Sequence, residues 1–211
     1  MKHNFWHNKW ETNHIFFHQE DINPFLKKFF RLPAGKIVVP LCGKSSDMIW
    51  LASQGHQVMG IELSPIACEA FFQENNLPYQ KIGRLPQVDR LGIWCGDFFD
   101  APSHVWENCT GLYDRAALIA LPKEMRKTYA THMIQQLQTE KETFVQMLLI
   151  CLEYDQQLLE GPPFSVTESE VTELFGSIYS IQQQQSETTS FKSIPEGGVL
   201  QKAYSLTLPA T

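Results

Sequence analysis

Apolar positions alternate between two spacings along this chain. Lys36 to Leu41 is a continuous apolar run, the pattern of a strand buried on both faces of a parallel sheet. Cys42-Gly43-Lys44-Ser45 makes a turn, and Ser46 to Ser53 carries Met48, Ile49, Leu51 and Ala52 at helical spacing before Gln54-Gly55 stops it. His56 to Leu63 is a second buried strand. Ser64-Pro65 opens a helix to about Asn75, with Ser64 as N-cap and Pro65 at the first position. Arg90 to Cys95 and Gly111 to Asp114 read as further strands, Ala117 to Leu121 as a brief turn, and Pro122 to Gln138 as a helix. Thr143 to Leu152 is the most apolar strand. Thr167 to Phe175 is a helix with a Thr167–Glu170 capping box. Ile178 to Ser186 and Leu200 to Leu208 follow as two late strands, joined by a polar loop with Pro195 and Gly197-Gly198.

Alternating strands and helices predict an α/β fold: a mostly parallel, seven-stranded sheet with helices on both faces. The two late strands, with no full helix between them, predict a C-terminal antiparallel hairpin. Ahead of this core (36–211) lies an aromatic, histidine-rich segment (1–34), read as a helical cover. Trp6 and Trp10 are one helical turn apart and share a face. Pro24 starts a second helix, Phe25 to Phe30. The whole chain, 1–211, reads as a single domain.

Composition narrows the functional classes. The chain is 43% apolar and 19% charged, too apolar for disorder. Its formal net charge of -6 argues against a general nucleic-acid binder, and no apolar run is long enough for a membrane span. The N-terminus lacks the apolar run of a signal peptide. Five cysteines, none in a C-x-x-C pair, read as reduced thiols in a cytoplasmic protein. A monomer is the expected state.

The stretch from Lys36 to Ser64 carries the chemistry. A strand ends in Pro40-Leu41-Cys42-Gly43, and the next ends in Glu62, nineteen positions after Gly43. A glycine there lets backbone approach a ligand, and an acid at that distance can accept both hydroxyls of a ribose. The pattern itself says adenosine-containing cofactor and fits either NAD or S-adenosylmethionine. A pyrophosphate site uses G-x-G-x-x-G; this loop has a single glycine, and Asp47 places a negative charge nearby. That favours a phosphate-free cofactor bearing a cationic sulfonium. After the third strand, Gly96-Asp97-Phe98-Phe99 offers Asp97 to an adenine amino group and Phe98 to the ring; the plainer role for Asp97 is an N-cap. His14 and His18 are four apart, but no third ligand adjoins them, so no metal is expected. Cys42 lacks a paired base for a nucleophilic role.

These residues resemble the thiopurine S-methyltransferase family, most closely its bacterial members. The matching segments are Pro40-Leu41-Cys42-Gly43-Lys44-Ser45, Trp50-Leu51-Ala52, Gly55-His56 and Val58-Met59-Gly60-Ile61-Glu62-Leu63-Ser64. Phe5-Trp6-His7-Asn8-Lys9-Trp10, Phe17-His18-Gln19-Glu20, Cys95 to Phe99, Tyr113 to Leu121 and Gly161-Pro162-Pro163-Phe164 add to it, in order, over nearly the whole chain. The resemblance implies a Rossmann-like class I S-adenosylmethionine-dependent methyltransferase fold. It places Trp6, Trp10, Leu41, Gly43, Glu62, Asp97, Phe98 and Arg115 at the cofactor. Phe17, Pro162 and Pro163 fall at the substrate. Glu187 to Gly198 has no arginine, whereas animal members carry one near there.

The implied reaction is methyl transfer to a thiopurine, another small aromatic thiol, or a selenium or tellurium oxyanion, in a detoxifying role. Alignment and proximity supply most of the catalysis. Arg115 is read as the catalytic electrostatic partner of an anionic acceptor or of the cofactor carboxylate, against the plainer reading of an ion pair with Asp114 or another acid. Asp21 is a candidate base, with a solvated carboxylate as its plainer reading. The competing functions are an NAD-binding Rossmann oxidoreductase and a non-catalytic cofactor-binding protein.

Overall fold

The computed structural model describes residues 3–15, 18–82, 85–139, 144–191 and 194–209. Two helices lead, α1 (His3–Glu11) and α2 (Pro24–Phe29). Then come β1 (Lys36–Pro40), α3 (Asp47–Ser53), β2 (Gln57–Glu62) and α4 (Pro65–Glu74). Three strands follow, β3 (Gln80–Ile82), β4 (Leu85–Val88) and β5 (Leu91–Cys95). The rest of the chain forms α5 (Ser103–Trp106), β6 (Cys109–Asp114), α6 (Ala117–Ala120), α7 (Lys123–Thr139), β7 (Gln146–Glu153), α8 (Glu168–Phe175), β8 (Ser180–Phe191) and β9 (Ile194–Thr207).

The strands form one sheet in the order β3-β4-β5-β2-β1-β6-β7-β9-β8. β5, β2, β1, β6 and β7 are parallel neighbours, and β9 and β8 add antiparallel at one edge. This seven-stranded unit corresponds to the seven runs read from the sequence. Two short strands, β3 and β4, extend it antiparallel beside β5 and were not expected. The last hairpin is also longer than expected. The supposed loop around Pro195 and Gly197-Gly198 belongs to β9, paired with β8 from Phe191↔Ile194 onward. β9 lies between β7 and β8, but its pairing with β7 starts only at Leu200, so Pro195 has one flanking strand and its missing N–H is tolerated as on an edge.

Period-two alternation sorts the buried residues into two layers. On β7, Met147, Leu149 and Cys151 join a cluster with Tyr129, Met133 and Leu137 of α7 and Phe175 of α8. Leu148 and Ile150 face the other way, toward Phe25 and Leu26 of α2, Met48 and Leu51 of α3 and Phe71 and Phe72 of α4. Helix starts follow their capping residues. The Asn23 side chain accepts the Phe25 N–H, Ser64 accepts that of Ala67, and Thr167 accepts that of Glu170. Among the described residues no helix is long and apolar enough to cross a membrane.

Strand order reverses on either side of β1: the chain passes from β1 to β2 and β5 on one side, then to β6 and β7 on the other. The carboxyl ends of these strands therefore flank a crevice, the place where open α/β sheets bind ligands.

Candidate functional site

The floor of the crevice is the loop after β1. Leu41 takes a φ of 47° and Gly43 a φ of 55°. A non-glycine residue in that region costs about 1–2 kcal/mol. The loop is fastened to the neighbouring strand by Cys42 N–H donating to the Ile61 carbonyl at 3.0 Å. Glu62, the last residue of β2, is 6% exposed. Its Oε2 accepts the Gly43 N–H at 2.9 Å and its Oε1 accepts the Ser64 N–H at 2.7 Å. Burial pushes the Glu62 carboxyl up, and the backbone N–H groups of Ser64 and Gly43 pull it back. Each carboxylate oxygen keeps acceptor capacity beyond its one backbone bond, so the side chain can serve the loop and a diol together. The tip of β5 joins the same edge through the Gly96 N–H, which donates to the Glu62 carbonyl at 2.8 Å.

Trp10 covers this floor. It is the buried residue of α1, and its ring lies against Gly43. A Cβ on that glycine would sit 3.3 Å from Trp10 Cζ2. Trp6, one turn earlier, is half-buried and packs edge-on against Phe5. The start of α1 reaches β5: His3 Nε2 lies 2.6 Å from Asp97 Oδ2. Asp97 Oδ1 accepts the Phe99 N–H and caps a single 3-10 turn, Phe98–Asp100. That turn rolls Phe98 inward. Its ring is buried among Phe99, Trp106, Tyr129 and His132, within the core cluster. Phe17 lies outside the described residues.

On the far side of the crevice, β6 sends successive side chains to opposite faces. Tyr113 joins the α2–α3–α4 layer, while Asp114 meets the N-terminus of α6 and Tyr129 of α7. Asp114 Oδ1 accepts the N–H groups of Ala117 and Leu118, and Oδ2 accepts the Tyr129 hydroxyl at 2.8 Å. Burial pushes Asp114 up to about 6, against the pull of those donors. Arg115 returns to the Tyr113 side. Its ion pair is therefore with Asp47, at 3.3 Å, and not with Asp114. Asp47 begins α3 and was read from the sequence only as a charge unfavourable to pyrophosphate. It is buried, and three donors converge on it: Asn23 N–H on Oδ1, and Tyr113 hydroxyl and Arg115 Nη1 on Oδ2. The other edge of Arg115 donates to Gln19 on the cover.

Pro162 and Pro163 follow β7. The Pro163 carbonyl accepts the Tyr154 hydroxyl at 2.5 Å, and Phe164 N–H donates to the Ile119 carbonyl at 2.6 Å. The proline pair is thereby pinned beside α6, which follows the Arg115 tip. Cys42 is buried below the loop, where desolvation and the Glu62 charge raise its thiol, a poor setting for a nucleophile. His14 bonds Thr12. The imidazole of His18 is lowered by burial and by Lys44. Neither histidine lies on a helix, so their spacing does not bring them to one helical face.

The structure thus gathers Trp10, Leu41, Gly43 and Glu62 at one end of the crevice, Asp97 at the next strand tip, and Arg115 beyond. The residues that sequence reading missed are Asp47, Tyr113, Asn23 and Gln19. The alternation of Tyr113 and Arg115 about Asp114 was the available signal. These side chains fit an adenosine cofactor without phosphate. A buried carboxylate with open acceptor sites lies beneath an aromatic cover, and the loop has one glycine with Asp47 behind it.

Comparison with solved structures gives the class. The chain superimposes on a SAM-dependent methyltransferase of Anabaena variabilis with a TM-score of 0.67 and 15% identity, over 98% of this chain and 95% of that one. The 1,6-didemethyltoxoflavin N1-methyltransferase of Burkholderia thailandensis, solved with S-adenosylhomocysteine, gives a TM-score of 0.62 at 13% identity, over 99% and 87%. The fold is that of a class I S-adenosylmethionine-dependent methyltransferase. Sequence comparison gives the family. The thiopurine S-methyltransferase family model matches residues 1–201. The thiopurine S-methyltransferase of Pseudomonas fluorescens (strain Pf0-1) is 43% identical over 93% of this chain and 94% of its own length. That of Bordetella petrii is 44% identical over 81% and 80%. The chain belongs to the thiopurine S-methyltransferase family, and its cofactor is S-adenosylmethionine.

Proposed function

We propose that this methyltransferase acts on a small acceptor with a soft, easily ionised nucleophile: a thiopurine or other aromatic thiol, or a selenium or tellurium oxyanion. The observation that carries the reading is the Arg115 guanidinium, fixed at the tip of β6 in the same crevice as Glu62 and Gly43. When bound, S-adenosylmethionine supplies a methyl group already activated by its sulfonium. Glu62 holds the ribose hydroxyls, Trp10 covers the loop and excludes water, and Asp97 bounds the adenine end. Arg115 attracts the anionic acceptor, and Pro162 and Pro163 wall its side. An acceptor that ionises readily needs little help losing its proton, so charge attraction and alignment suffice. The enzyme works in this reading as a cytoplasmic monomer in detoxification.

The test is a methyl-transfer assay over 6-mercaptopurine, aromatic thiols, selenite and tellurite, with calorimetry of S-adenosylmethionine and of NAD. We expect at least one aromatic thiol to be methylated and NAD not to bind. Glu62→Ala should weaken cofactor binding by about 1–3 kcal/mol, the usual cost of hydroxyls left unpaired. Tight cofactor binding with no acceptor methylated would overturn the reading in favour of a non-catalytic binding protein.

A further inference from the structure

We infer that Asp47 is the positioning residue of the reaction: it orients Arg115 toward the methyl acceptor and ties that orientation to the base of the N-terminal cover. The inference rests on the proposed role of Arg115. Its own support is geometric.

The Asp47 side chain has no exposed surface, and that of Arg115 is 13% exposed. Removing a carboxylate from water is expensive unless its lone pairs are filled. Here the three donors come from two separate parts of the chain. Asn23 N–H, at the start of α2, lies 2.8 Å from Oδ1. The Tyr113 hydroxyl, from β6, lies 2.8 Å from Oδ2. Arg115 Nη1, just past the end of β6, lies 3.3 Å from Oδ2. The Asp47 N–H in turn donates to Ser45 Oγ at 3.3 Å, within the cofactor loop.

Two of these contacts fix the carboxylate, and the third uses it. Asn23 and Tyr113 hold the shorter bonds and set where Oδ1 and Oδ2 lie. Arg115 takes the remaining, longer contact through one edge of its guanidinium. Its other terminal nitrogen, Nη2, donates to Gln19 of the cover. A planar guanidinium held at both terminal nitrogens presents its remaining N–H donors in a set direction. That is the geometry required of a group that must meet an anion in a fixed place. Asn23 also closes the segment that carries Gln19, so one carboxylate anchors both the arginine and the strap that lies over it.

The alternative is that Asp47 only neutralises a half-buried arginine. The two roles differ in coupling. With a positioning residue the coupling to Arg115 shows in kcat/KM; with a merely neutralising one it shows in the melting temperature alone. The experiment is a double-mutant cycle with Asp47→Asn and Arg115→Gln, reading kcat, KM for an acceptor from the panel above, the cofactor Kd and the melting temperature. We expect Asp47→Asn to lower kcat/KM by up to about 100-fold, the scale of an ångström-sized misplacement, through KM for an anionic acceptor more than through cofactor affinity. The double variant should be no worse than Arg115→Gln alone. If the two losses multiply, or Asp47→Asn matches the parent enzyme, the inference is overturned. If Arg115→Gln itself has no effect on kcat/KM, the proposed function is what fails. A second measurement does not depend on any variant folding, nor on any acceptor being found. Nitrogen-15 NMR of the parent enzyme should show restricted, separate Nη signals for Arg115. Averaged signals from a freely rotating guanidinium would overturn the positioning role.

Discussion

Trp10 and Gly43 are in such close register that a single methyl group would disturb them. The Cβ of an alanine at 43 would stand 3.3 Å from Cζ2 and 3.6 Å from Cη2 of the indole. The backbone there has a φ of 55°, which costs a residue with a side chain about 1–2 kcal/mol. Gly43→Ala therefore strains the loop and lifts the tryptophan together. We expect cofactor affinity to fall by roughly tenfold, about 1.4 kcal/mol, with a shift in tryptophan emission. Unchanged affinity and emission would show that the cover is not seated on this glycine.

Asp114 makes stability depend on pH. Its unfolded carboxyl titrates near 3.9, and burial holds the folded one up at about 6. Between those values the folded chain keeps a proton that the unfolded chain has lost. Stability from this group is therefore complete below pH 4, falls as pH rises toward 6, and stays low above it. Two pKa units correspond to about 3 kcal/mol. In Asp114→Asn the side-chain oxygen can still accept the Ala117 and Leu118 N–H groups. We expect urea unfolding of that variant to lack the decline between pH 4 and 7. Parallel pH profiles for the two proteins would rule out Asp114 as its source.

Of the two bonds that pin the proline pair, one comes from a hydroxyl. Tyr154 donates to the Pro163 carbonyl, and Gln156 supports both ends, donating from Nε2 to Tyr154 Oη and accepting the Ser165 N–H on Oε1. Tyr154→Phe removes the central bond, worth about 1 kcal/mol net. If Pro162 and Pro163 wall the acceptor, KM for the acceptor should rise roughly fivefold while cofactor affinity holds. An equal loss of cofactor affinity would move the prolines out of that role.

The parts of this molecule that showed in the sequence are those governed by local periodicity. Each of the seven core strands is a run long enough to declare burial on one or both faces, and Ser64-Pro65 marked α4 by capping chemistry alone. β3 escaped because it is 3 residues long, and β4 because it contains Pro86, which reads as a breaker. The same bias turned the first residues of β9 into a loop. At the site, the pairing of Glu62 with Gly43 showed because both lie in one strand-loop-helix-strand unit. Asp47 and Arg115 did not pair on paper because 68 positions separate them. Only the side-by-side placement of β1 and β6 makes them neighbours. The direction of the Phe98 ring did not show because a sequence gives no direction to a ring after a turn; the Asp97 cap turns it into the core.

Glu62 offers the sharpest separation of floor from cofactor. Both carboxylate oxygens accept backbone N–H groups, from Gly43 and Ser64. Glutamine at this position keeps the shape but has one acceptor oxygen and one donor nitrogen. One of the two N–H groups then faces an N–H₂ and loses its partner in a buried setting, which costs about 1–3 kcal/mol. Glu62→Gln should therefore lower the melting temperature before any cofactor is added, and weaken cofactor binding further. The parent enzyme carries a matching pH signature. Burial raises the Glu62 carboxyl, and the ionised form is the one with acceptors for both backbone and ribose. Affinity for S-adenosylmethionine should be full above that raised value and decline as pH falls through it. Calorimetric titrations of both proteins from neutral pH downward test this, since Glu62→Gln has no carboxylate left to protonate. A variant with the same acid-side decline as its parent would assign the decline to another group and take Glu62 out of the cofactor site.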